Sequence, residues 1–207
     1  IDEDHFAVID KKNLVLFIIN FSNDNVIYSY YDHFLIYATS MSISANHLFL
    51  VLDYEFGLTR TYKIIYKNKI PSKLRFINDF SWKSKPISVI SGFHLVCGTA
   101  LVNQLILWGL VSGKILRLLR FESRIVSISM DEEYGIWVAT KTKGYFISLN
   151  GEIISEINLY EEVTQVKAIN LHSSKARAAV CGTISGKVLL LTPRFDTKQI
   201  DIKELPS

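Results

Sequence analysis

The chain has 207 residues, 49% hydrophobic and 12% aromatic, with ten Gly and four Pro. That is ample material for a packed core, and it excludes a disordered, linker-like or fibrous protein. Net charge is +3, and no apolar run approaches the roughly 20 residues a membrane-spanning helix needs. Composition therefore predicts a soluble or membrane-peripheral chain.

In chain order, period-two alternation rich in Val, Ile, Tyr and Phe predicts strands almost throughout. Residues 1–32 hold three of them, 5–10, 14–20 and 25–31, with an innermost strand expected upstream of Ile1. Ile1 followed by Asp2, Glu3 and Asp4 lacks the basic start of a signal peptide, and a chain that starts with Ile rather than an initiator Met reads as a piece of a longer protein. Residues 33–74 form a second unit, with strands 35–44, 47–53 and 58–66. The third unit spans 75–121, with strands 85–91, 93–99, 104–110 and 114–121. In the fourth, 122–162, strand 124–129 is followed by a turn at 131–133, strand 134–140, a tight turn at Gly144 and strand 145–149. Asn150-Gly151 then reads as a two-residue hairpin turn, both positions tolerating positive φ, before strand 152–159. The fifth unit, 163–205, repeats the scheme with strands 165–171, 177–183, 188–192 and 199–205.

Spacing binds these units together. Val96-Cys97-Gly98-Thr99 recurs as Val180-Cys181-Gly182-Thr183, and Val138-Ala139-Thr140 lies 42 residues from each. Gly144 and Gly186 are also 42 apart. Self-similarity at about 40–45 residues, carried on short strands, is the mark of a β-propeller built from four-stranded blades. The expected fold is all-β: a single propeller segment of about five blades, the first incomplete, cut from a larger propeller of seven. Helical periodicity is absent, and a sandwich or barrel is the weaker alternative. Cys97 and Cys181 would lie about two blades apart, too far for a disulfide, which fits a reducing compartment.

No residue set announces an enzyme. His5, His33, His47, His94 and His172 are scattered without metal-ligand spacing. Asp131-Glu132-Glu133 and Glu161-Glu162 read as solvated turn acids rather than an acid–base pair. Ser112 and Thr99 lack nearby His and Asp partners. A propeller enzyme or lectin would need carboxylates or histidines on several inner strands. Residues 41–44, 87–90, 126–129 and 166–170 instead offer Ser, Ile and Ala, with Lys167 the one charge. No catalytic residue, cofactor or metal is expected.

The units resemble WD repeats in degraded form. The Trp-Asp that usually ends the third strand is met once, as Trp108-Gly109, and Gly92-Phe93-His94 comes near the usual Gly-His. More closely, three stretches within residues 87–192 look like the C-terminal WD-repeat propeller of BEACH-domain proteins. These are Leu105-Ile106-Leu107-Trp108 through Gly113-Lys114-Ile115-Leu116-Arg117, residues 125–138 with Ser127-Ile128-Ser129 and Tyr134-Gly135, and Phe146-Ile147-Ser148-Leu149-Asn150-Gly151-Glu152-Ile153-Ile154. The resemblance implies a non-catalytic protein–protein scaffold in a large cytoplasmic protein of vesicle traffic, lysosome-related organelles or autophagy.

Charge supplies the remaining candidates. Residues 1–59 carry eight acids and two bases, whereas residues 60–86 carry Arg60, Lys63, Lys67, Lys69, Lys73, Arg75, Lys83 and Lys85 against Asp79 alone. Tyr62, Tyr66, Phe76, Phe80 and Trp82 are interleaved with these bases. The commonest reason for such a stretch is a lysine-rich edge that stays soluble. An anionic membrane surface is the next reading, and nucleic acid, with bases stacked on aromatics, the least supported. A smaller row, Lys114, Arg117, Arg120 and Arg124, places Arg117 and Arg120 on opposite faces of a strand. Trp82, Arg124 and Tyr134 are expected at a rim, where protein partners would be read.

Overall fold

The computed structural model describes residues 5–20, 22–44, 48–82, 86–91, 94–99, 103–110, 112–131, 135–171, 176–194 and 199–205. Within them the chain is built of strands, apart from a 3-10 turn at His33–Tyr37. It divides into two compact units, residues 1–95 with 109–114 and residues 96–108 with 115–207.

The first unit begins with an antiparallel meander of β1 (His5–Asp10), β2 (Val15–Asn20) and β3 (Val26–Tyr31). Alternation in β2 turns Leu16 and Ile18 to one side, where both are fully buried. The 3-10 turn follows because the Asp32 carboxylate accepts from Phe34 N at 2.9 Å, capping it. A four-stranded meander comes next: β4 (Ala38–Ile43), β5 (Phe49–Tyr54), β6 (Leu58–Lys67) and β7 (Ile70–Ser81). The faces of these two sheets bury one core, in which Leu16 and Ile18 meet Leu50, Leu52, Tyr62, Ile64 and Leu74. Each such side chain removed from water contributes about 1.5–3 kcal/mol. The Tyr30 ring meets Tyr62 edge-on at 5.5 Å, and the Tyr28 hydroxyl accepts from Leu74 N.

A third four-stranded sheet has the order β8 (Pro86–Ser91), β9 (His94–Thr99), β10 (Gln104–Gly109), β11 (Ile115–Arg120). The second unit then repeats the meander twice. β12 (Ile125–Asp131), β13 (Gly135–Thr140), β14 (Lys143–Ile147) and β15 (Ile153–Asn158) are followed by β16 (Val163–Leu171), β17 (Ala176–Thr183), β18 (Val188–Arg194) and β19 (Gln199–Leu205). A single parallel bridge, Glu156 to Gln199, joins the two sheets. Trp137 and Phe146 of the first face Val166, Ala179, Cys181, Leu189 and Leu191 of the second in one apolar cluster. Burial leaves the Cys181 thiol protonated, its pKa pushed up to about 12; the Cys97 side chain lies outside the described residues.

Four expectations need correction. Residues 35–37 are 3-10 rather than strand, because the Asp32 cap tightens the chain there. A blade boundary at 74/75 falls inside β7, which pairs with β6 from Ile70 to Ser81. Of Asn150-Gly151 only Gly151 has positive φ, 81°, in a turn closed by Gly151 N to Ser148 O. Finally, Gly144 is in strand β14 facing Ala139, while the residue facing Cys181 is Leu189, not Gly186. The 42-residue period therefore holds on β13 and β17 but becomes 45 on β14 and β18, because the second turn is three residues longer.

Candidate functional site

The β4–β7 sheet carries a distinct surface at each end of β6. At its start, the 3-10 turn and the β5–β6 turn come together as Glu55 N donates to Tyr37 O at 2.9 Å. Gly57, at φ 85°, makes the sharp reversal that aims Phe56 outward. Phe34, Ile36, Tyr37 and Phe56 are each 44–52% exposed here, forming an apolar patch open to solvent. The Phe56 ring stacks on buried Tyr54 at 5.6 Å and meets Tyr37 at 5.7 Å and 79°. Tyr37, Glu55 and Phe56 line an open cavity of about 380 Å³.

Arg60 lies beneath this cluster. Its guanidinium bonds Asp32 at 3.0 Å and grips both oxygens of Asp79 at 2.9 and 3.3 Å. Its Cζ also stands 5.0 Å from the Phe34 ring centre and 5.7 Å from that of Tyr54. Burial works against its charge, but hydrogen bonds, to Asp79 first, outweigh it and push its pKa up. Burial pushes Tyr54 up to about 12 and raises Tyr62 as well, so both phenols stay neutral. Arg60 is thus committed to holding the cluster together and is separated from the other bases.

Those bases are gathered at the far end of β6. Asn68 and Lys69, at φ 52° and 64°, form the two-residue turn that joins β6 to β7. Lys63, Lys67, Lys69, Lys73 and Arg75 cluster on this hairpin, and residues 61–78 hold no acid. Lys63 stands directly opposite Arg75 across the strands, an arrangement unfavourable for stability alone. Ile70 beside the turn and Phe76 are about half exposed. Lys83 and Lys85 lie outside the described residues.

The rim candidates fare unevenly. Arg124 is exposed, and Tyr134 lies outside the described residues. Trp82 is half-buried, its indole N–H donating to Thr59 Oγ1 at 2.9 Å. Thr59 in turn donates to Asp53, which also accepts from Ser40, both at 2.7 Å. A Trp–Thr–Asp–Ser chain of hydrogen bonds therefore locks this sheet although no Trp-Asp dipeptide marks it. Arg117 Nε donates to Asn150 O at 3.2 Å, tying down the turn before β15.

The acid candidates are also engaged. Glu161 and Glu162 pair with Lys187 at 3.0 Å and Lys141 at 3.3 Å. Hydrogen bonds from Ser185 and then Lys187 hold Glu161 below the usual carboxylate range. Glu132 and Glu133 lie outside the described residues, as do His47 and His172. His33 approaches the Tyr31 hydroxyl at 3.4 Å. Among the described residues no three His, Cys, Asp or Glu side chains group for a metal, and no helix is long and apolar enough to cross a membrane.

These successive antiparallel meanders, packed face to face within each unit, define the class: the fold is that of a WD-repeat-like β-propeller. A chain of the solved structure "Crystal Structure of Mitotic Checkpoint Complex" superposes with a TM-score of 0.70 at 12% identity, covering 100% of this chain and 67% of that one. No family model and no curated protein matches the sequence.

Proposed function

We propose that this chain is a single, non-enzymatic propeller segment that recognises protein partners. By the resemblance over residues 87–192, it belongs to a larger BEACH-type cytoplasmic protein of vesicle or membrane traffic. The observation that carries the docking role is the group Phe34, Ile36, Tyr37 and Phe56, left half in water on turns fixed by Asp32, Arg60 and Gly57. Rigid aromatics at a rim are what a partner surface can desolvate with little loss of entropy.

The test is proximity labelling in cells with the wild-type chain and a Phe34→Ser/Tyr37→Ser double variant of equal abundance. Loss of specific labelled proteins in the double variant supports docking at this end. An unchanged set counts against it. The sequence encoded upstream of Ile1 tests the larger assignment, since a BEACH-type domain supports it and a hydrolase or receptor overturns it.

The hairpin favours a second, compatible reading, attachment to anionic membrane. Five bases without an acid, with Ile70 at the tip, match a surface on which each lysine contributes about 1 kcal/mol. Co-sedimentation with phosphatidylserine vesicles should weaken as salt rises and drop about tenfold or more in Lys67→Glu/Lys73→Glu. Equal binding to neutral vesicles, or preference for single-stranded RNA over vesicles, overturns the membrane reading.

A further inference from the structure

The cavity at the start of β6 has a chemistry of its own. Its walls are Tyr37 and Phe56, whose rings meet at 79°, and its charged member is Glu55, exposed and without an ion pair among the described residues. Aromatic rings beside a carboxylate are the elements that hold an alkylammonium or guanidinium group. The cluster already demonstrates this preference internally, since Arg60 is held by the same kind of arrangement, two carboxylates with the rings of Phe34 and Tyr54. The surroundings are complementary as well. From Asn13 to Thr59 the chain has Asp24, Asp32, Asp53 and Glu55 but no Lys or Arg, and the nearby charge of Arg60 is neutralised by Asp32 and Asp79.

We propose that the Tyr37–Glu55–Phe56 cavity is a cation-recognition pocket that takes a lysine, methylated lysine or arginine side chain from a basic segment of a protein partner. The proposal rests on the docking role assigned to this end of the sheet and adds the chemistry of what docks. Arg60 fills the inner aromatic site, against Phe34 and Tyr54. The outer site, at Glu55, stays open to a second cation.

The probe is choline against 3,3-dimethylbutan-1-ol, which has the same shape without the charge, titrated into the full chain and followed by amide chemical shifts. Choline should perturb Tyr37, Glu55, Phe56 and Gly57 and bind about 5–30-fold more tightly than the alcohol. Glu55→Gln, a surface change that leaves the fold intact, should weaken choline several-fold and leave the alcohol unaffected. Tyr37→Leu should weaken choline while keeping a dispersed spectrum. Equal affinity for the two probes, shifts confined to other residues, or no effect of Glu55→Gln would overturn the pocket. If those failures occur while the double variant above still loses its labelled partners, the docking reading survives and only its cationic chemistry falls.

Discussion

The two units pair their sheets by different means. In the second unit the pairing repeats with the sequence: Ser127 Oγ donates to Val166 O and accepts from Val166 N, Ser129 Oγ accepts from Ala168 N, and Ser155 Oγ donates to Arg194 O. The Ser127 and Ser129 bonds span 39 residues, the spacing of equivalent positions on β12 and β16, whereas the Ser155 bond joins β15 to β18. Among the described residues of the first unit the sheets are joined by other contacts. Tyr30 packs on Tyr62, the Tyr28 hydroxyl reaches Leu74 N, and Arg60 reaches back to Asp32. One pair of sheets is held by a generic device that any neighbouring repeat could use. The other is held by residues used once, and both candidate surfaces belong to it. Both proposed surfaces thus fall where the repeat has been abandoned, as expected when a scaffold's regular parts are selected for packing alone.

This contrast can be broken most forcefully at Arg60. Arg60→Leu strands Asp32 and Asp79 beside apolar rings, and should cost about 3 kcal/mol, the low end for breaking such a network because Asp79 is partly in water. Amide exchange should quicken in β5 and β6 and stay unchanged in β12–β19. Equal loss in both units would mean the first unit has no separate means of cohesion.

Gly135→Ala probes the second unit. A Cβ there would lie 2.4 Å from the Ile147 carbonyl oxygen and 2.9 Å from the Phe146 ring, so urea unfolding followed at buried Trp137 should show a loss of about 2 kcal/mol. Ser127→Ala removes both bonds to Val166 and should cost about 1 kcal/mol, with faster exchange at Val166 N as its signature. If that amide stays protected, the serine ladder is incidental. The smallest effect runs the other way. Lys69→Gly relieves a lysine held at φ 64° and should raise stability by up to about 1 kcal/mol, read as a higher denaturation midpoint, while lowering vesicle binding by one charge's worth.

Much was legible from residue order alone. Alternation over residues 5–31 and 125–159 delimits strands to within a residue or two, because each buries one face and wets the other. The 42-residue recurrence is legible because Val138-Ala139-Thr140 and Val180-Cys181-Gly182-Thr183 are short runs of small or β-branched residues on equivalent strands, β13 and β17, each paired on both sides within its sheet. The basic character of residues 60–86 was equally plain, but its division was not. Whether Arg60 belongs with Lys63 or with Asp32 and Asp79 depends on a bulge and a 28-residue return that no local pattern encodes. The same holds for the pocket, since Tyr37 and Phe56 are 19 residues apart and ordinary in either segment. Sequence determined the strands, their repeat and the charge each carries, because those follow from side-chain preference over a few residues. Only the tertiary structure decided which charges are neutralised and which rings meet, because that is set by how separate turns are brought together.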